Sequence, residues 1–112
     1  MENCLFCKIL RGEIPSEPVY ESRSCYAFKD INPAAPVHIL IIPKTHINAI
    51  GDIDDSSLAV DFFSGISEIV KKYNLEESGY RIVVNSGKDG QQSVPHLHFH
   101  ILGKRSLQWP PG

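Results

Sequence analysis

His96-Leu97-His98-Phe99-His100-Ile101-Leu102 alternates imidazole and apolar side chains without interruption. On an extended strand, side chains two apart share a face and lie roughly 6–7 Å from one another. The stretch therefore predicts one row of imidazoles, with Leu97, Phe99 and Ile101 turned toward a core. A solvated histidine-rich face or a metal-binding tract is the plainer reading of such a run. Three groups that titrate near neutrality are, however, costly to crowd onto one face with no acid between them. The preceding loop, Asn85-Ser86-Gly87-Lys88-Asp89-Gly90-Gln91-Gln92-Ser93, is polar and glycine-containing. Loop and row together point to a functional site.

Working outward, residues 80–85 predict the strand before that loop, and residues 37–43 (Val37-His38-Ile39-Leu40-Ile41-Ile42-Pro43) suit a buried central strand. Residues 19–21 and 25–29 form a predicted hairpin across Ser22-Arg23-Ser24. Residues 4–10 predict a short opening helix, broken by Gly12 and Pro15, and residues 30–36 a proline-bearing loop. The long helix is residues 57–73, where Leu58, Phe62, Ile66, Ile69, Val70 and Tyr73 make one apolar stripe. Asp54, Asp55 and Ser56 are its N-cap candidates, and Lys71 and Lys72 complement its other end. The expected fold is α+β with a mainly antiparallel sheet.

A chain of 112 residues allows one domain, 1–112. The formal charge of −2 argues against general nucleic-acid binding, which needs a concentrated basic surface. Met1-Glu2-Asn3-Cys4 lacks the features of a signal peptide, and the apolar run from Ile39 to Ile42 is too short to cross a bilayer. The expectation is a cytoplasmic protein without a membrane partner. Three cysteines fit poorly with a disulfide framework.

Chemically, Gly87 and Gly90 allow close backbone approach to a phosphate, while Asn85, Gln92 and Ser93 supply hydrogen-bond donors. His100 is placed to give a phosphoryl oxygen a charge-assisted hydrogen bond. A neutral imidazole aimed at phosphorus yields a phosphoryl- or nucleotidyl-histidine that water resolves. The glycine spacing is no Walker sequence, and lone glycines usually mark turns. Cys4-Leu5-Phe6-Cys7 is open between a redox pair, half a zinc site and chance; no strand–helix setting favours the redox option. Cys25 reads as buried filler.

The histidine row resembles the histidine triad motif of the HIT superfamily. Phe6-Cys7-Lys8-Ile9, Glu13-Ile14-Pro15, Phe28-Lys29-Asp30-Ile31-Asn32-Pro33, Ala35-Pro36-Val37-His38, Ile42-Pro43-Lys44, Gly79-Tyr80-Arg81 and Trp109-Pro110-Pro111-Gly112 resemble its branch of Hint-like phosphoramidases. The resemblance implies a HIT-like fold, with a five-stranded sheet, one long and one short helix, and a homodimer whose two sheets join. It implies purine nucleotide binding, with His98 as nucleophile on the α-phosphorus and an amine as leaving group. His100, Asn85, Ser93 and the backbone of Val94 match phosphate-side positions. Asp30 matches the residue on the ribose hydroxyls, and Phe6, Ile9, Ile14, Ile31 and Leu40 match positions around the base. His38 matches a histidine that orients its neighbours, and Trp109 one that reaches the partner's site. In many bacterial-type relatives a Cys2His2 zinc is completed by residues in the places of His46 and His96, which would make His96 a structural ligand beside Cys4 and Cys7. No organic cofactor is implied.

Each position has a plainer rival: core packing for Phe6, Ile9, Ile14 and Leu40, turn chemistry for Asp30, a satisfied core histidine at His38, and a packing plug at Trp109. Gln91 stands where the family loop has a second glycine, and Pro95 where an aromatic is often found. The leading expectation is a purine nucleoside 5′-phosphoramidase using His98, His100, His38 and Ser93. Dinucleoside polyphosphate hydrolysis, a nucleotide-binding scaffold and a pure zinc module are the rivals.

Overall fold

The chain is described here by a computed structural model covering residues 3–112; Met1 and Glu2, part of the leader reading, lie outside the described residues. Five strands, β1 (Pro18–Glu21), β2 (Cys25–Lys29), β3 (Val37–Pro43), β4 (Tyr80–Val84) and β5 (Phe99–Gly103), form one sheet in the order β1-β2-β3-β5-β4. Every neighbouring pair is antiparallel. A six-residue helix, α1 (Leu5–Leu10), and a 17-residue helix, α2 (Ser56–Lys72), complete the α+β architecture. The short 3₁₀ turn at Ile50–Asp52 was not expected, because three residues carry no periodicity to read.

The central strand β3 shows how the sequence divides the interior. Ile39 and Ile41 point to one side, where they meet Phe62, Ile66 and Ile69 of α2. Leu40 and Ile42 point to the other, packing with Phe6, Cys7 and Phe28 around α1. The period of two thus makes two cores, one per sheet face. Leu97, Phe99 and Ile101 belong to the α2 side, as their alternation with the histidines requires.

Helix α2 starts where Asp55 caps it, its carboxylate accepting from the Ser57 N–H at 2.9 Å. Gly65 lets the helix approach the sheet closely: a Cβ there would lie 2.8 Å from Tyr20 Cε2 and 2.9 Å from Ile41 Cδ1. Asp61 on the same helix accepts from Ser22 Oγ at 2.8 Å and the Ser24 N–H at 3.0 Å, fastening the β1–β2 turn.

One expectation is corrected. The histidine row is not wholly within a strand, because β5 begins only at Phe99. The His96 N–H is taken by the Val94 carbonyl at 2.8 Å and the Leu97 N–H by the Ile47 carbonyl at 2.7 Å, so this segment is held by loops. Nor is the row solvated: His96 and His98 are buried, at 0% and 3% exposure. No helix among the described residues is long and apolar enough to cross a membrane.

Candidate nucleotide pocket and metal cluster

The antiparallel register of β3 and β5 places Leu40 opposite His100 and His38 opposite Leu102, so His38 and His100 are diagonal neighbours on one face. Their rings meet, with His38 Nε2 2.9 Å from His100 Nδ1. The Ala34 N–H donates to His38 Nδ1 at 2.9 Å. That nitrogen must be bare, so neutral His38 carries its proton on Nε2 and donates it to His100 Nδ1. His100 in turn is left with its own proton on Nε2, on the ring edge away from His38. A relay of three donors results, running from the Ala34 amide through His38 to His100.

Burial lowers the basicity of both rings. His38 is shifted below the usual histidine range by desolvation, partly countered by Asp30, whose Oδ2 lies 3.3 Å from His38 Nε2. His100 is pushed down to about 4, first by desolvation and then by the neighbouring His98 and His38. With no phosphate anion beside it, His100 is therefore neutral at pH 7 and offers an Nε2–H donor.

His98 stands next in the row, its ring centroid 5.0 Å from that of His100. Its Nδ1–H donates to the His96 carbonyl at 2.8 Å, which fixes the tautomer with a free lone pair on Nε2.

Both rings open into a cavity of about 990 Å³ on the α1 side of the sheet. It is lined by Phe6, Ile9, Ile14, Leu40 and Ile31 on its apolar side, and by Asp30, Ser93 and Val94 together with the two histidines. The size and mixture suit a ligand with an aromatic body and a polar end. Asn85, Gln92, His38 and Trp109 are not among the lining residues. The Asn85 amide donates to the Gly90 carbonyl at 2.6 Å, and the Gln92 amide spans the Gly87 N–H and the Asn48 and Val94 carbonyls. Both amides thus shape the loop. Trp109 is 80% exposed, with the Arg81 guanidinium 5.9 Å from its ring.

The loop itself explains one glycine. A Cβ on Gly90 would come within 2.3 Å of the Ser86 carbonyl oxygen, so no side chain fits. Gln91 adopts a φ of 61°, the left-handed region that glycine fills more easily, and its side chain is exposed.

Sequence reading missed several of the pocket's walls. Phe28 packs edge-on to Phe6 at 5.7 Å; its alternation with Ala27 along β2 was the signal available. Glu17 and Lys29 pair at 2.7 Å at the rim, with no local pattern to reveal them.

A second cluster lies beside the row. The ligating atoms of Cys4, Cys7, His46 and His96 all fall within 4.8 Å of one another. His96 Nδ1 is 3.3 Å from Cys4 Sγ and 3.6 Å from Cys7 Sγ, and His46 Nδ1 is 3.2 Å from Cys7 Sγ. His96 Nε2–H donates to the Pro43 carbonyl at 3.0 Å, leaving Nδ1 bare toward the thiols. That outward donor and inward lone pair are what a metal-ligating histidine needs. Burial also holds His96 below the ordinary histidine range. Two thiols and two imidazoles fit a tetrahedral ion.

Asp30, His38 and His100 also bring three ligand atoms within 4.8 Å of one another. There the tautomer is wrong: His38 Nδ1 accepts the Ala34 N–H, so Nε2 must keep its proton and cannot ligate. The donors separate the two clusters, one suited to a metal and one a hydrogen-bond relay. Cys25 is fully buried in the α2-side core, and desolvation pushes its thiol up to about 11.

Comparison with known proteins identifies relatives of the whole chain. The chain is 43% identical over 111 residues to a 14 kDa zinc-binding protein of Zea mays, covering 96% of this chain and 87% of that protein. It is 46% identical over 113 residues to an uncharacterized HIT-like protein of Synechococcus elongatus, covering 99% and 98% of the two chains. A HIT family hydrolase from Legionella pneumophila superposes with a TM-score of 0.92 at 47% identity, over 98% of this chain and all (100%) of that one. A histidine triad protein from Clostridium difficile does so at 0.89 and 43%, over 96% of each. With the HIT domain matched across residues 11–107, this chain belongs to the HIT domain family.

Proposed function

We propose that the chain is a nucleotide-binding hydrolase of the Hint-like branch, cleaving purine nucleoside 5′-phosphoramidates. The observation that carries this reading is His98. Its Nδ1–H is held by the His96 carbonyl, and the ring lines the cavity. Nε2 attacks the α-phosphorus, a P–N bond to His98 forms, and the P–N bond to the amine breaks. The amine leaves with a proton gained from solvent. Water then adds to phosphorus, releasing the nucleoside monophosphate and restoring His98. His100 donates Nε2–H to a phosphoryl oxygen, oriented by His38. Ser93 and Val94 line the same end, and Asp30 faces the ribose. The base lies among Phe6, Ile9, Ile14, Ile31 and Leu40.

The Cys2His2 cluster would hold a zinc ion, in line with the similarity to the zinc-binding protein of maize. Such an ion supplies structural cross-linking, since four protein ligands leave no open position. A homodimer joined at the sheet edge is supported by β4, an edge strand with Tyr80 and Val84 exposed, and by the exposed Val60 and Phe63 of α2. Trp109 then belongs to the partner's site.

A substrate panel tests the reading. Tryptamine- and lysine-linked adenylates should be turned over well ahead of dinucleoside polyphosphates; the reverse order would move the chain to polyphosphate hydrolysis. Tight AMP binding without turnover of any member would leave a binding protein.

A further inference from the structure

The metal cluster and His98 share two parts. One is His96, whose ring Nδ1 faces the thiols while its carbonyl accepts the His98 Nδ1–H at 2.8 Å. The other is Phe6, which stands between Cys4 and Cys7 in sequence and is 4% exposed. The Phe6 ring centroid is 5.0 Å from that of His98 at 83°, and 5.8 Å from that of His96 at 76°. It packs equally edge-on to Phe28, and Phe6, Phe28 and His98 all line the cavity.

A helix of six residues does not hold itself together in water. Helix α1 is held by its side chains: Cys7 on the cluster, Phe6 against the sheet, and the Cys4 thiol accepting the Cys7 N–H at 3.4 Å. Whatever gathers Cys4 and Cys7 onto His46 and His96 also sets where the Phe6 ring lies. That ring is the edge-on wall against which the His98 imidazole rests.

We propose that Phe6 is a positioning residue that couples the cysteine–histidine cluster to His98, so that metal loading and nucleotide binding strengthen each other. The proposal rests on the nucleotide and metal readings above and adds an energetic link between them. Such a link is reciprocal: a bound nucleotide tightens the metal by the factor with which the metal tightens the nucleotide.

The test loads the full chain with cobalt(II), whose visible bands report ligand geometry, and titrates it with 5′-AMP. Saturating AMP should shift the bands, and chelator competition should show cobalt held about fivefold or more tighter with AMP than without it. In Phe6→Leu, and in Phe6→Met should that variant fold better, saturating AMP should leave the bands in place and the ratio near one. Unmoved bands and unchanged cobalt affinity in the wild type at saturating AMP would overturn the coupling alone. Full coupling retained in both variants would overturn the role of Phe6. Failure of AMP to bind the loaded wild type would overturn the nucleotide reading and the coupling together. Failure of cobalt to bind through thiolates would do the same for the metal reading.

Discussion

His98 and His100 are neighbours on one row, yet their surroundings give them different tasks. His98 spends its Nδ1–H on a backbone carbonyl and keeps a lone pair, whereas His100 receives a proton at Nδ1 and keeps a donor. His38 enforces the second arrangement, so His38→Ala removes the donor and frees His100 to adopt either tautomer. Loss of a buried hydrogen-bond partner costs about 1–3 kcal/mol. Steady-state kinetics should accordingly show kcat lowered roughly tenfold to a hundredfold, with KM little changed. The depressed basicity of His100 also makes stability depend on pH. Its folded value is about 4 against 6.5 for the ordinary group, so between these the unfolded chain binds the extra proton. The stabilisation is complete above pH 6.5 and is lost as pH falls toward 4, amounting to on the order of 3 kcal/mol. Urea unfolding across that range should show the decline, and His100→Asn should make it shallower, leaving the smaller share from His38 and His96. The alternation that separates histidines from core residues was legible in sequence. The Ala34 amide on His38 was not, because a backbone donor leaves no residue-type signature.

Helix α2 was readable from its stripe, since Phe62, Ile66, Ile69 and Val70 are all buried at the expected spacing. What the stripe does not reveal is how closely the helix lies, which Gly65 shows. Gly65→Ala gains about 1 kcal/mol of helix propensity but drives a methyl into Tyr20 and Ile41. Overpacking costs about 1–3 kcal/mol, so a net loss of up to about 2 kcal/mol should appear in denaturant unfolding. Asp55→Ala, which removes the cap, should cost about 1 kcal/mol without any effect on AMP affinity. The start of β5 was misplaced for a different reason. An extended backbone joins a ladder only where a partner strand lies beside it, and residues 96–98 are taken up by Ile47, Val94 and the thiol cluster. The side-chain amide of Gln92 was equally unreadable, since whether it faces a ligand or its own loop depends on where Asn48 comes to rest.

At the scale of the molecule, one face of the sheet carries the larger core, and the other carries a smaller core together with the cavity. Helix α2 covers the first, while α1, tied by two cysteines, walls the second. A four-ligand metal contributes its binding energy to the folded state. Chelation should therefore lower the melting temperature by about 5 °C or more, as should Cys4→Ser, which should in turn make the protein indifferent to chelator. The cysteine spacing was visible in sequence, but its completion by His46 and His96 came from family likeness, because ligands 39 and 89 residues away from Cys7 meet only in the fold. The proposed chemistry rests on one imidazole. The decisive measurement is intact-mass and peptide mapping of protein quenched during turnover of adenosine 5′-phosphoramidate. A covalent adenylyl group on His98, absent from His98→Ala together with turnover, is the predicted result. Turnover persisting in His98→Ala, or an adduct borne by a different residue, would contradict it.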